Sequence, residues 1–241
     1  QIIADELYRL IPVPGVPLPP EAVALLPQLE QQTERIQSLD ELPKRPELRF
    51  DRNWRLGPSI LLPELSRSRT LAFVLTLRMY AAVQRDDRAL ALQLWDQGVA
   101  LTRLVRSEPI LISQLVANAV ESIQVASLEG LLPQLNLSDA ELRQLMASLQ
   151  QSERSISPAF GSSVDGDFTM MNVTFSFLRR NDDTIFKLIP ADPIVHLRWN
   201  SFPFRQLVDL NQADYFRELI RYKTLCLQEY YVNKAAIAEW E

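Results

Sequence analysis

Residues 71–105, LAFVLTLRMYAAVQRDDRALALQLWDQGVALTRLV, decide the fold. Leu71, Val74, Leu75, Leu77, Met79, Ala82 and Val83 make the first half apolar on nearly every side, which predicts a helix buried over most of its surface. Gln84-Arg85-Asp86-Asp87 interrupts that pattern, and helical spacing resumes with Ala89, Leu92, Trp95, Val99, Leu101, Leu104 and Val105. So short a polar connection joins antiparallel neighbours, so the two helices form a hairpin.

Working toward the C-terminus, Ser107-Glu108-Pro109 offers a cap, an acid and a proline for the first turn of a third helix. Its predicted core stripe is Ile112, Leu115, Val116, Ala119, Ile123 and Ala126, and Gly130 to Leu137 ends it. Ser138-Asp139-Ala140-Glu141 is a capping box that opens a fourth helix bearing Leu142, Leu145, Met146 and Leu149. Residues 67–155 thus read as two consecutive helical hairpins. The expected class is all-α: antiparallel hairpins in a bundle or a short solenoid, with Pro-rich irregular connections.

Toward the N-terminus, Ile3, Leu7, Leu10 and Ile11 fall at helical spacing, and the prolines from Pro12 to Pro20 then force an extended linker or wrapping arm. Pro20 suits the first turn of a helix with Val23, Leu26, Leu29 and Ile36, which Pro27 should kink or restart. From Asp40 to Ser66 the sequence is irregular, with Phe50, Trp54 and Leu61-Leu62 expected to pin a loop over the helices. Residues 1–66 therefore form an N-terminal arm and wrap. Residues 156–241 form an irregular segment and closing helices packed on the same domain. Pro158, Gly161 and Asp165-Gly166-Asp167 break the pattern there. The stretch 168–178 fits both periods, as a strand through Met171, Val173, Phe175 and Phe177, or as a helix through Val164, Phe168, Met171, Phe175 and Leu178. Helix is favoured, because a lone strand has no partner. A last helix begins near Asn211 and Asp214 and carries Phe216, Leu219, Ile220, Leu227, Tyr230 and Tyr231.

Composition narrows the functional classes. With 241 residues and 47% hydrophobic positions the chain can bury a sizeable core, and 6 glycines against 16 prolines suit helices with stiff connectors. A net charge of −5 with dispersed cations gives no basic stripe, so nucleic acid is not expected as a partner. The single cysteine, Cys226, excludes an internal disulfide and a cysteine-rich zinc site. No uninterrupted apolar run reaches the roughly 20 residues of a membrane span.

The turn at Asp86-Asp87 with Ala91, Trp95 and Gly98 down the following helix resembles tetratricopeptide hairpins. The glycine and aromatic of that repeat's first helix are replaced, and no period of about 34 residues recurs. Leu62-Pro63-Glu64-Leu65, the helix 71–82 and the segment Ser107 to Val116 resemble, over about 62–149, a group of bacterial helical proteins without an assigned activity. That resemblance implies a membrane anchor ahead of the helical domain and a place at the cell envelope; otherwise the expectation is cytoplasmic.

Candidate chemistry is sparse. His196, the only histidine, has no Cys or acidic cluster at ligand spacing and reads as a loop histidine. Asp165-Gly166-Asp167 with Ser162 and Ser163 lacks the later ligands of a calcium loop. Cys226 reads as a buried thiol, and the tryptophans and Tyr230-Tyr231 as core. No metal and no cofactor is expected, and the common nucleotide, hydrolase and zinc-protease motifs do not occur. Opposite the apolar stripe of the third helix, Gln114, Asn118, Glu121 and Ser122 stand at i, i+4, i+7 and i+8. In a solenoid this row and Arg78 would face a groove; Glu121 paired with an arginine of a neighbouring helix would instead be structural. The leading reading is a non-catalytic scaffold that binds a protein or peptide through Arg78, Gln114, Asn118 and Glu121. The alternative is a hydrolase with Glu121 and Glu153 as convergent carboxylates. A third reading has the Pro-rich arm mediating oligomerisation.

Overall fold

The computed structural model describes residues 7–12, 16–33, 40–44, 50, 52–53, 56, 60, 62–180, 212–218, 220–221 and 224. These residues are mostly helical, with no strand among them. The main helices are α1 (Pro20–Thr33), α2 (Pro63–Gln84), α3 (Arg88–Arg106), α4 (Leu111–Leu131) and α5 (Asp139–Arg180), with a 3-10 turn at Leu132–Gln134. The chain divides into two compact units: residues 1–49, 62–108 and 112–156, and residues 50–61, 109–111 and 157–241.

In the first unit α2 and α3 pack as the expected hairpin. Asp86 adopts φ +58°, a left-handed value that a short polar side chain tolerates, and so reverses the chain. Asp87 then caps α3, accepting the amide of Leu90 at 3.1 Å. Phe73, Leu75, Leu77, Met79, Leu94, Trp95, Leu101 and Val105 form the centre of the core, joined by Ala22 and Leu26 of α1 and Leu18 of the proline-rich arm. Side-chain bonds tie the helices laterally. Trp95 Nε1 donates to Ser148 Oγ at 2.8 Å, and Gln124 Nε2 reaches the Ala72 carbonyl at 3.2 Å. Gly98 allows that second bond, since a Cβ there would stand 2.5 Å from Gln124 Oε1.

The capping box forms as read: Ser138 N donates to Glu141 Oε2 at 2.7 Å and Glu141 N to Ser138 Oγ at 3.4 Å. The Ser138 bonds hold the Glu141 carboxyl below its ordinary pKa.

Three expectations change. First, α2 begins at Pro63 rather than near Arg67, with the proline in the first turn, where its missing N–H costs nothing. Second, α4 turns a different face inward. Ile112 and Leu115 are exposed, Leu115 at 66%, as are Ala119 and Ala126, while Ser113, Gln114, Ala117, Val120, Gln124, Ser127, Leu128 and Leu131 are buried. Of the polar members of that inner face, Gln114, Gln124 and Ser127 find partners on α2 and α3, which offsets part of their desolvation, whereas Ser113 Oγ and Gln124 Oε1 have none. Third, Ser107 does not start α4. It closes α3 instead, its Oγ donating to the Leu104 carbonyl at 2.7 Å.

In the second unit the residues expected to be irregular, 158–167, are helical, and the helix continues to Arg180, including the stretch with two possible periods. Pro158 sits exposed inside it. Gly166 is needed because a Cβ there would collide with the backbone carbonyl of Pro109. Asp167 accepts the Leu111 amide at 3.4 Å, and burial pushes its carboxyl pKa up. Phe168 stacks on Phe216 at 3.9 Å, and Gln212 donates to Asn172 at 3.0 Å, fastening the segment 212–218. Ile36, Trp54, His196, Cys226, Leu227, Tyr230 and Tyr231 lie outside the described residues.

Candidate functional site

Arg106 ends α3 on the line that runs through Trp95 and Thr102, so its phase carries it into the core. Its side chain is 2% exposed. A guanidinium has five donors and must spend them when buried. Nη2 donates to Glu121 Oε2 at 2.7 Å and Asn118 Oδ1 at 3.2 Å. Nη1 reaches the Ser152 carbonyl and Oγ, each at 3.3 Å, and Ser155 Oγ at 3.1 Å. Ser152 Oγ in turn donates to Glu121 Oε1. Only Nε is left without a partner. Gln114 completes the knot: its amide donates to the Arg106 carbonyl at 2.9 Å and the Glu108 carbonyl at 3.2 Å, satisfying carbonyls freed where α3 ends.

The structure therefore gathers Gln114, Asn118 and Glu121 around one arginine, in the pairing that the sequence offered as structural. Gln114 is buried, Glu121 is a quarter exposed and Asn118 is exposed. Arg78 lies half-buried on α2, on a different helix from the three. Glu153 is solvent-exposed while Glu121 is engaged by a cation and a hydroxyl, so no general acid and base stand ready there. Among the described residues no cluster of His, Cys, Asp or Glu has the arrangement of a metal site.

A different surface has the shape of a binding site. Between α3 and the first turns of α5, with residues 40–44 along its rim, lies an open cleft of ≈ 690 Å³. A neighbouring hollow of ≈ 290 Å³ shares Pro43, Asp96 and Gln144 with it. The α3 wall presents Gln93, Asp96 and Gln97, one helical turn apart or side by side. Asp40 Oδ1 accepts both Gln93 Nε2 at 2.9 Å and Gln97 Nε2 at 2.5 Å. Gln144 Nε2 donates to Asp96 Oδ2 at 3.1 Å from the α5 side.

Two side chains beside this cleft are under-satisfied. Gln97 is 4% exposed, and its Oε1 has no hydrogen-bond partner. The bond from its Nε2 to the Asp40 carboxylate fixes which end of the amide is the oxygen. Asp96 has no cation at ion-pair distance among the described residues, and burial pushes its pKa up, opposed only by the Gln144 bond. Neither residue was singled out in the sequence, yet a cue existed. Gln97 stands three residues after Leu94 and four before Leu101, a polar side chain in the phase of the core.

By length and composition alone, one stretch among the described residues, Leu111–Gln134, is apolar enough to cross a membrane, with a mean hydropathy of 1.2. A core helix meets the same test, and Gln114, Glu121, Gln124 and Ser127 bonded to neighbouring helices fit α4 to that role. The chain matches no protein-family model, no curated protein and no solved structure.

Proposed function

We propose that this chain is a non-catalytic helical interaction module that takes up a protein or peptide in the cleft between α3 and α5. The observation behind this reading is the half-buried carboxylate of Asp96, with no cation at ion-pair distance among the described residues, in a cleft of ≈ 690 Å³. The helices supply a rigid wall, and the residue 40–44 rim is attached to it through Asp40. In this reading the α2–α3 and α4–α5 pairs act as a short tetratricopeptide-like stack, and the Arg106 knot holds it rigid. The resemblance of residues 62–149 to anchored bacterial helical proteins adds a place at the cell envelope.

The test is selection of random displayed peptides on the native chain, followed by binding to a Gln97→Leu/Gln144→Leu variant of matched helicity. Selected peptides should lose about tenfold or more in affinity on the variant, equivalent to some 1.4 kcal/mol. Equal binding to both chains would place the interaction elsewhere and overturn the reading.

A further inference from the structure

A second cavity of the first unit shares no residue with the α3–α5 cleft. It lies where the proline-rich arm meets the C-terminal turns of α2 and the end of α4, and its volume of ≈ 390 Å³ is within the size range of small-molecule sites. Val16, Leu18 and Leu131 give it aliphatic walls, and the exposed Gln84 and Gln134 stand at its rim. Pro17 and Pro19 fix the backbone on both sides of Leu18, which is buried in the core, so the arm's wall is in place before a ligand arrives. The polar group inside is Tyr80. Its side chain is buried, with the residue 3% exposed, and its hydroxyl has no hydrogen-bond partner among the described residues. The unpartnered side-chain atoms that are sealed from all contact are Gln97 Oε1, Arg106 Nε, Ser113 Oγ and Gln124 Oε1; the Tyr80 hydroxyl is not among them, so it opens on the cavity that Tyr80 lines. Burial pushes its pKa up, and the phenol remains a proton donor.

We propose that this cavity is a site for an uncharged amphiphilic small molecule, whose aliphatic body lies between Val16, Leu18 and Leu131 and whose carbonyl or hydroxyl oxygen accepts the Tyr80 hydroxyl. No side chain that lines the cavity carries a charge at neutral pH, so an ionic ligand would give up its hydration and meet no opposite charge. A neutral carboxamide or alcohol escapes that cost. Its remaining hydrogen-bonding groups turn to the rim, where Gln134 Nε2 reaches only the Gly130 carbonyl at 3.5 Å and its amide oxygen and second N–H are left for a ligand.

The experiment is a nuclear magnetic resonance titration of the full chain, carrying ring-labelled tyrosine, with hexanamide, 1-hexanol, hexanoate and hexylammonium. The Tyr80 ring signal, assigned by its loss in Tyr80→Phe, and the side-chain amides of Gln84 and Gln134 are followed. Hexanamide or hexanol should shift them along a saturating curve with a Kd of about 1 mM, as suits so small a ligand, and the two ions should not. Tyr80→Phe, which keeps the ring and removes the hydroxyl, should weaken that binding about five- to tenfold as read on the two amides. Val16→Trp, at an exposed position on the cavity wall, should abolish it with an otherwise unchanged spectrum. Equal response to hexanoate or hexylammonium would overturn the preference for an uncharged ligand. Unchanged affinity in Tyr80→Phe would overturn the role of the hydroxyl. No movement of these signals with any of the four compounds would overturn the cavity as a site and would leave the α3–α5 cleft reading as it stands.

Discussion

Arg106 and Asp96 solve the burial of charge in opposite ways, although they lie ten positions apart on one helix. Both terminal nitrogens of Arg106 meet acceptors from α4 and α5, whereas Asp96 keeps one amide and no counter-ion among the described residues. Removing one member of a buried pair strands the other, so Glu121→Ala should cost about 3 kcal/mol in urea unfolding. The double variant Arg106→Met/Glu121→Leu should recover much of that loss, because two apolar chains of similar size need no partner. A double variant less stable than Glu121→Ala would mean that the knot contributes through more than charge. For Asp96 the sign runs the other way. Burial raises its folded pKa above the unfolded value, so the folded state binds the extra proton. Stability therefore falls as pH rises from the ordinary carboxyl pKa of 3.8 through the raised one. Asp96→Asn should melt higher than the native chain at neutral pH, with the difference vanishing below the ordinary carboxyl pKa. Equal melting temperatures at neutral pH would contradict that assignment. At this scale the sequence made Glu121 legible as a partner for an arginine, since row spacing and charge are local properties. It hid Asp96 and Gln97, whose partners Gln144 and Asp40 lie 48 and 57 residues away in the chain.

Helix α4 shows how period can be read correctly and phase wrongly. Its apolar residues do recur at helical spacing, but of the expected stripe only Val116 and Ile123 pack on the core while Ile112, Leu115, Ala119 and Ala126 face outward, because α2 and α3 offer carbonyls and hydroxyls that accept a polar inner face. Ile112→Gln/Leu115→Gln should thus change unfolding free energy by no more than about 0.5 kcal/mol per site, whereas Val120→Ala should cost distinctly more. A large loss from the glutamine pair would mean that these side chains are covered. The long helix α5 makes a parallel point about glycine. Gly161 has open space around the position of a Cβ, and Gly166 has the Pro109 carbonyl there. In thermal melts Gly161→Ala should stabilise by up to about 1 kcal/mol, and Gly166→Ala should destabilise by about 1–3 kcal/mol. Two glycines and a proline within ten residues read as a break in the sequence. The helix persists because Pro158 and Gly161 carry only local penalties, while Phe168, Phe175 and Asn172 gain partners in the segment 212–218.

For the molecule as a whole, the all-α class was legible from residues 71–105, where hydrophobic period, turn chemistry and capping agree on one hairpin. The binding surface was less so. A polar row on one helix looks the same in sequence whether it faces solvent or a buried arginine, and only the arrival of α3 and α5 separates the two. In the first unit the carboxylate of Asp96 stands at the α3–α5 cleft with one amide bond, while that of Glu121 is taken up by Arg106 and Ser152. A crystal structure of the chain bound to a peptide selected on it tests this account most directly. The account predicts the peptide in that cleft, against Gln93, Asp96 and Gln144. A peptide seated instead along Asn118 and Ser122, or on the outer stripe of Ile112 and Leu115, would contradict it.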